Sequence, residues 1–243
     1  MFITCRAIAA GVLLLGLCAC ASSGANNLSA GDNDPYESMN RQVFGLNEGL
    51  DKHFARPLAV FYTRAVPQIA RNGLHNFLTN LGVPVIFAND VMQGEAHRAV
   101  DSLGRFVVNS TVGIGGLVDV AQKTGIPEHS ADFGETLAGY GFGEGPFLVL
   151  PVLGPSNPRD AFGYGVDIAI DPLTWVTFRS STFFKLGKGV AGIADARAEN
   201  LQTLDQLERS SLDLYATERS LYRQHREAEI NHGKPNIDNL PNF

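Results

Sequence analysis

The chain has 243 residues, with 19 basic and 25 acidic side chains, a net charge of −6 at pH 7 and only 18% charged residues. This acidic balance argues against nucleic acid or a polybasic lipid-surface patch as the main mode of binding. All three cysteines lie at or before position 20, which excludes disulfides and cysteine metal sites from the rest of the chain.

Residues 1–19 have the pattern of a secretory signal peptide. Arg6 is the only charged residue, and it precedes an apolar run from Ala7 to Leu17. The run is too short to span a bilayer. The small and polar residues that follow do not extend it into an anchor.

The sequence Leu17-Cys18-Ala19-Cys20 resembles a bacterial lipobox, in which the thiol of Cys20 receives diacylglycerol and Cys20 becomes the first mature residue. The alternative is an ordinary signal peptide cleaved near Ala19 or Ala21, with Cys20 incidental. Residues 20–33 are small and polar after the cysteine, which predicts a lipidated flexible linker with a reach of roughly 20 Å.

The first half of the mature chain predicts five short amphipathic helices separated by Pro and Gly. Asp34-Pro35-Tyr36-Glu37 has the form of a capping box, which predicts a helix start at this point. Apolar residues then recur at spacings of three and four and form one stripe, at Met39, Val43, Leu46, Leu50 and Phe54. The predicted breaks are Arg56-Pro57, Val66-Pro67, Val83-Pro84 and Gly94, and the fifth helix covers Glu95 to Asn109.

Three Gly-rich stretches with almost no charge follow, at residues 110–118, 136–158 and 161–178. None predicts a membrane-spanning helix, since Gly and Pro interrupt all of them. One interpretation is a buried β-hairpin or a packed Ω-loop. The other is backbone at membrane depth, which is tolerated only inside protein or beside a wet cavity.

The last third is rich in charge and predicts one water-facing helix from Ala194 to about His225. The tail at 231–243 contains Pro235 and Pro241 and is predicted to be loose. Together these patterns predict a single mostly helical domain at residues 34–230.

The candidate motifs for catalysis, cofactor binding and metal binding each lack residues or sequence context that the function requires. Asp132-Phe133-Gly134 lacks the other kinase motifs, and Asp132 with Glu135 is better interpreted as a capping box. The glycines at 141–145 lead into a proline and an apolar run, where a dinucleotide loop would open a helix. The six histidines form no i, i+4 pair, and no Gly-x-Ser-x-Gly elbow is present. Asp160, Asp167 and Asp171 are predicted to be helix and turn residues.

The order of these residues resembles the MlaA (VacJ) lipoproteins of Gram-negative outer membranes over about residues 34–225. The matching motifs include Asn40-Arg41, Asn47, Arg56-Pro57, Asn76-Phe77, Asn80-Leu81, Gly115-Gly116, Asp132-Phe133-Gly134, Tyr140-Gly141, Gly145-Pro146, Gly154-Pro155-Ser156, Asp171-Pro172-Leu173 and Asp213.

This resemblance implies a mostly α fold: a membrane-associated ring of short amphipathic helices with Gly-rich irregular loops. The implied function is phospholipid trafficking without a catalytic centre, cofactor or metal. The protein would remove misplaced phospholipids from the outer leaflet and hand them to a soluble periplasmic carrier, thereby maintaining lipid asymmetry. The implied neighbours are a trimeric porin and, indirectly, an inner-membrane ABC transporter complex.

The resemblance also implies an outer-membrane location on the periplasmic face, with the body embedded in the inner leaflet. Ala21 agrees with outer-membrane sorting, since an Asp after the modified cysteine would favour inner-membrane retention. Two other classes remain open: an envelope structural lipoprotein without transport activity, and a lipid hydrolase.

We expect the segment from Tyr140 to Leu153 to contribute to the lipid path or its rim. The candidate lipid-path residues are Tyr140, Phe142, Phe147, Leu148 and Leu150.

Overall fold

The computed structural model describes residues 33–232, so the predictions for the signal peptide, Cys20, the linker and almost all of the tail lie outside the described residues. The described part is mostly helical, in agreement with the predicted fold class. Its elements are α1 (Glu37–Leu50), a π-helical turn (Asp51–Ala55), α2 (Arg56–Ala65), α3 (Gln68–Gln93), α4 (Ala96–Thr111), α5 (Val120–Lys123), α6 (Phe133–Gly139), β1 (Leu148–Leu150), β2 (Gly154–Ser156), α7 (Pro158–Ile170), α8 (Pro172–Trp175), α9 (Ser181–Glu199), α10 (Leu201–Ser210) and α11 (Leu214–Ile230).

The predicted capping role of Asp34 is wrong. Helix α1 begins at Glu37 without a side-chain cap, and Asp34 is buried instead. Its carboxylate accepts hydrogen bonds from Asn40 Nδ2 at 2.8 Å and from the Tyr215 hydroxyl, and it pairs with Arg219 at 2.9 Å. Asp34 therefore joins the start of the domain to its last helix.

Two predicted proline breaks do not occur. The chain remains helical across Arg56-Pro57, because a π-helical turn precedes α2 and Pro57 falls in the first turn of that helix. Pro84 lies inside the 26-residue helix α3, which packs along α4 and continues despite the lost backbone hydrogen bond. The predicted ends at Val66 and Gly94 are confirmed, and Gly94 closes α3 with φ of +77°.

The predicted single C-terminal helix is in fact three helices, α9, α10 and α11. Asn200 separates the first two, and the extended backbone of Ser211 ends α10. Asp213 then caps α11 by accepting a hydrogen bond from the backbone N–H of Ala216 at 3.1 Å. Charge density does not reveal these breaks, because all three helices carry many charged residues.

The Gly-rich stretches form three different structures. Residues 112–118 are turns, with Gly115 and Gly116 at positive φ. The stretch at 136–158 contains the antiparallel β1–β2 hairpin, in which Val149 pairs with Pro155, so the hairpin interpretation is confirmed there. The stretch at 161–178 is largely helical, and Asp171 caps α8 as a turn residue.

The interior is unusually polar. One small apolar cluster contains Phe147, Val149 and Tyr215, with Phe44 and Tyr222 packed against it. By contrast, the largest fully buried side chains are Asn40, Asn89, Thr136, Asp34, Asp90 and Ser102. Hydrogen bonds and ion pairs therefore hold much of the interior together, and apolar packing holds a smaller share.

Candidate functional site

The main apolar cavity lies beside the tip of the β1–β2 hairpin and has a volume of about 550 Å³. This is within the usual range for small-molecule sites. Its walls come from the helical segment between α1 and α2, from α9 and from the hairpin tip. The lining residues are Asn47, Leu50, Asp51, Phe54, Ala55, Leu58, Val152, Val190 and Ile193.

A second cavity of about 390 Å³ adjoins the first and carries most of the charge. The two cavities share Asn47, Asp51 and Val152 as lining residues. The charged groups of the second cavity come from α1, the π-helical turn, α9, α10 and α11. They are Glu48, Asp51, Lys52, Arg197, Glu208 and Glu218. An apolar compartment therefore meets a charged one at the hairpin tip.

Arg197 is the central cation of the charged cavity, and it is almost completely buried. Its Nε and Nη2 donate to the Asp51 carboxylate at 2.8 and 3.0 Å, and Nη2 also reaches Asp205 at 3.4 Å. The Asp51 carboxylate raises the pKa of Arg197. The Nη1 group is buried without a hydrogen-bond partner among the described residues. One N–H group of this cation is therefore left without an acceptor among the described residues.

Among the other charged groups of this cavity, Lys52 is paired with two carboxylates, and the ionised form of Glu218 is disfavoured. Lys52 bridges Glu48 at 2.5 Å and Glu208 at 3.1 Å. Burial raises the pKa of Glu218, and the nearby carboxylates of Glu48 and Asp51 raise it further. Four carboxyl groups and two cations thus line this cavity.

The hairpin is fixed to α1 by two asparagines on the same helix. Asn40 donates to the Phe147 carbonyl and accepts from the Val149 amide, both at 3.0 Å. Asn47 makes the same pair of hydrogen bonds nearer the hairpin tip, to the Leu150 carbonyl and from the Val152 amide. The two residues are seven positions apart and so lie on one face of α1.

The five predicted lipid-path residues differ in their exposure. Tyr140 and Phe142 are exposed, and Leu148 and Leu150 are half-buried. Phe147 is 4% exposed and packs its ring against Tyr215 and Tyr222. None of the five lines either cavity at the hairpin tip, although Val152 from the same segment lines both.

Sequence reasoning missed Val190, Ile193 and Arg197, all on α9. The apolar stripe of α1 did contain Leu50 and Phe54, so that part of the wall was visible as an amphipathic face. No sequence signal pairs the α1 stripe with α9, because about 140 residues separate them.

One buried cluster contains the residue types of a serine hydrolase but not the geometry. Ser102 donates to Asp90 at 2.6 Å, and His129 Nε2 lies 3.1 Å from the Ser102 hydroxyl and 2.9 Å from Asp90. In a catalytic triad the aspartate and the serine bind opposite ring nitrogens. Here they share Nε2, and Ser102 is 2% exposed. The cluster therefore supports the fold and does not provide an accessible nucleophile.

The surface carries many large apolar side chains, well beyond single scattered residues. No helix within residues 33–232 is long and apolar enough to cross a membrane. Apolar side chains more than half exposed include Phe54, Phe61, Ile69, Val100, Ile114, Tyr140, Phe142, Phe162, Trp175, Phe183 and Leu186.

Comparisons with known proteins agree with this architecture. The chain is 36% identical to the intermembrane phospholipid transport system lipoprotein MlaA of Escherichia coli K12 over 240 residues, which cover 97% of this chain and 92% of that protein. It is 32% identical to the protein of the same name from Haemophilus influenzae, with coverage of 90% and 88%. An uncharacterized protein of Rickettsia bellii is 38% identical, with coverage of 83% and 78%.

A solved structure from work on the structural basis for maintenance of bacterial outer membrane lipid asymmetry matches with a TM-score of 0.72 and 35% identity. The match covers 82% of this chain and 99% of that one, and it supports a mostly helical, ring-like fold. The MlaA lipoprotein family model matches residues 32–229. This chain therefore belongs to the MlaA lipoprotein family.

Proposed function

We propose that this chain is an outer-membrane lipoprotein that removes misplaced phospholipids from the outer leaflet and passes them to a soluble periplasmic carrier. In this way it maintains outer-membrane lipid asymmetry. The names of the relatives and the subject of the matched structure support phospholipid transport. The observation in this chain that carries the proposal is the apolar cavity that adjoins a charged one at Val152.

The two adjoining cavities match the two parts of a phospholipid, its apolar acyl chains and its charged headgroup. Acyl chains fit the apolar cavity, where Leu50, Phe54 and Ile193 offer aliphatic and aromatic surface. The phosphate would lie at the charged cavity, whose lining includes Arg197 with one N–H group that has no hydrogen-bond partner among the described residues. Guanidinium groups bind phosphate oxygens well, because their planar N–H groups match the spacing of the oxygens.

The body sits in the inner leaflet of the outer membrane on its periplasmic face, with the lipid on Cys20 as an additional anchor. The exposed apolar side chains support this position, since amphipathic helices bury one apolar face in a membrane interface. A trimeric porin is the neighbour in the membrane. An inner-membrane ABC transporter complex is the indirect destination of the lipid.

The exposed rings of Tyr140 and Phe142, with the half-buried Leu148 and Leu150 of β1, form the rim of the lipid path. Phe147 supports this rim from inside the apolar cluster. The chain acts without catalysis, and purified protein should release no fatty acid from phospholipid. An envelope structural protein would carry no bound phospholipid.

The decisive experiment is Ile193→Asp, which places a charge in the wall of the apolar cavity. Cells with this variant as their only copy should accumulate outer-leaflet phospholipid, and the purified variant should carry less lipid. Leu212→Asp is the matched control, because Leu212 is fully exposed and outside both cavities. Unchanged lipid content and unchanged asymmetry in Ile193→Asp would overturn the proposal.

A further inference from the structure

A separate polar cavity of about 260 Å³ lies where α6 meets the ends of α3 and α11. It is lined by Gln93 at the end of α3, by Glu95 before α4, by Glu135, Thr136, Gly139 and Tyr140 in and just after α6, and by Ile230 and His232 at and beyond the end of α11. It shares no lining residue with the two cavities at the hairpin tip.

Three buried acceptor oxygens in this cavity have no hydrogen-bond partner within residues 33–232. They are Oε1 and Oε2 of Glu135 and Oε1 of Gln93. Glu135 is only 4% exposed. A buried acceptor without a donor costs about 1–3 kcal/mol, and more if it is charged. Three of them at one cavity indicate that something with positive charge or donors belongs there.

The orientation of the Gln93 amide is fixed by its neighbours. Its Nε2 donates to the Thr136 hydroxyl at 3.1 Å, and Thr136 itself donates to Asn89 Oδ1 at 3.0 Å. Because the hydroxyl proton of Thr136 is directed to Asn89, the hydroxyl has to accept from Gln93. The amide oxygen of Gln93 is therefore the group left without a partner.

The nearest cations are already engaged. Arg226 Nη1 lies 3.5 Å from Glu135 Oε1, but its guanidinium donates to Asp132 at 2.7 Å, Asp160 at 2.9 Å and Glu229 at 3.0 Å. Arg98 donates to the Ser130 carbonyl at 2.6 Å and contacts His232. His232 lies 3.7 Å from Glu95 Oε1. The carboxyl groups of Glu95, Asp132, Glu135 and Glu229 outnumber the two arginines around this site.

The helix ends add to the negative potential. Helix α3 ends at Gln93 and α11 ends at Ile230, so the carbonyl ends of two long helices converge on the cavity. The C-terminal end of a helix is equivalent to roughly half a negative charge and favours cations.

We propose that this cavity binds a hard divalent cation, Ca²⁺ in particular, through the Glu135 carboxylate and the Gln93 amide oxygen, with Glu95 completing the acidic wall. Carboxylates and amide oxygens are the ligands that Ca²⁺ takes, and its flexible coordination lets water fill the remaining positions. The ion would tie α6 to the ends of α3 and α11.

A proton is the competing occupant. Burial and the nearby Asp132 carboxylate raise the pKa of Glu135 to about 8.

The test is calorimetric titration of Ca²⁺ into the mature protein in detergent after removal of metals. We expect one equivalent to bind. Glu135→Gln should bind at least tenfold more weakly, since loss of a direct ligand costs no less than loss of an outer-shell partner. Glu199→Gln is the matched control, because Glu199 belongs to a different group of possible ligands with His75 and Asp195. Its binding should equal that of the wild type.

Thermal unfolding gives a second measurement that does not depend on one variant. Ca²⁺ should raise the Tm of the wild type and of Glu199→Gln, while NaCl of equal ionic strength should not. Glu95→Gln, which removes a half-exposed carboxylate 3.7 Å from His232 Nε2, should reduce this shift. The proposal is overturned if the wild type binds no Ca²⁺ or if Glu135→Gln binds it equally well. It is also overturned if ethanolamine, an organic cation with N–H donors, stabilises the protein and Ca²⁺ does not.

Discussion

Asn47 holds the turn of the β1–β2 hairpin from both sides. Its Nδ2 donates to the Leu150 carbonyl at 2.9 Å, and its Oδ1 accepts from the Val152 amide at 2.7 Å. Val152 has a φ of +69°, which is rare for a β-branched residue. One α1 side chain therefore stabilises a strained residue at the border of the two cavities.

Asn47→Ala should lower the free energy of unfolding by about 1–3 kcal/mol, because it leaves the partners of Asn47 without their hydrogen bonds. It should also reduce lipid export, since the hydrogen bond that positions the Val152 backbone beside the two cavities is lost. Denaturant unfolding and an assay of outer-leaflet phospholipid measure the two effects. Asn200→Ala is the control, since the Asn200 side chain makes only a local hydrogen bond to the Ala196 carbonyl. Equal stability of the two variants would contradict this role of Asn47.

Arg197→Gln should reduce phospholipid retention about tenfold, which corresponds to the loss of one charge-assisted hydrogen bond. Retention of diacylglycerol, which lacks the phosphate, should change little. Arg56→Gln is the matched control, because Arg56 pairs with the same Asp205 at 2.9 Å but lines neither cavity. A parallel loss of both lipids in Arg197→Gln would indicate a structural role instead.

The adjacent glycines 115 and 116 should respond differently to alanine. Both have positive φ, but a Cβ at Gly116 would lie 2.8 Å from the Asn80 side chain, whereas a Cβ at Gly115 meets open space. Gly115→Ala should therefore cost about 1 kcal/mol, and Gly116→Ala should cost clearly more. Thermal or denaturant unfolding of the pair measures the difference. If their stabilities are equal, close packing at Gly116 is not important.

Stability in the presence of EDTA should fall as the pH rises. The pKa of Glu135 is raised from 4.5 to about 8, so the folded state holds a proton that the unfolded state has released. The stabilisation is complete below pH 4.5 and is lost as the pH rises through 8. Glu135→Gln should flatten this decline, and Glu199→Gln should retain it. Denaturant unfolding between pH 5 and 9 measures the slope, and identical slopes would exclude Glu135 as the cause.

Phe142→Asp and Phe147→Asp should have different consequences. Phe142 is exposed, so its substitution should impair lipid export while the protein still folds and reaches the membrane. Phe147 lies in the apolar cluster, so an aspartate there should unfold the domain, as truncating a buried Phe already costs about 3–5 kcal/mol. Circular dichroism and membrane fractionation separate the two outcomes. Normal export by Phe142→Asp would remove Phe142 from the lipid path.

The sequence predicts the mostly helical fold well, because the apolar spacing in α1, α3 and α4 is regular. The errors occur where tertiary structure overrides a local rule. Pro57 and Pro84 were expected to end helices, but a π-helical turn accommodates the first and packing along α4 sustains the second. Asp34 was expected to cap α1, but it is engaged by α11 instead.

The candidate site could be predicted only in part. Phe54 lies on a visible amphipathic stripe, but its partners Val190 and Ile193 come from α9, and no local pattern reports a contact over that separation. The predicted segment from Tyr140 to Leu153 does contain cavity residues, but they are Val149 and the turn residue Val152, whereas Phe147 is buried in the apolar cluster. A period-two pattern this short is ambiguous in the sequence.

The polar interior also has a calorimetric consequence. The heat-capacity change on unfolding grows with the apolar surface that becomes hydrated and decreases with the polar surface. A domain whose largest fully buried side chains are Asn40, Asn89, Thr136, Asp34, Asp90 and Ser102 should therefore have a low heat-capacity increment for its length. Its stability should then vary only gently with temperature, so that cooling and warming over the growth range change the folded population little.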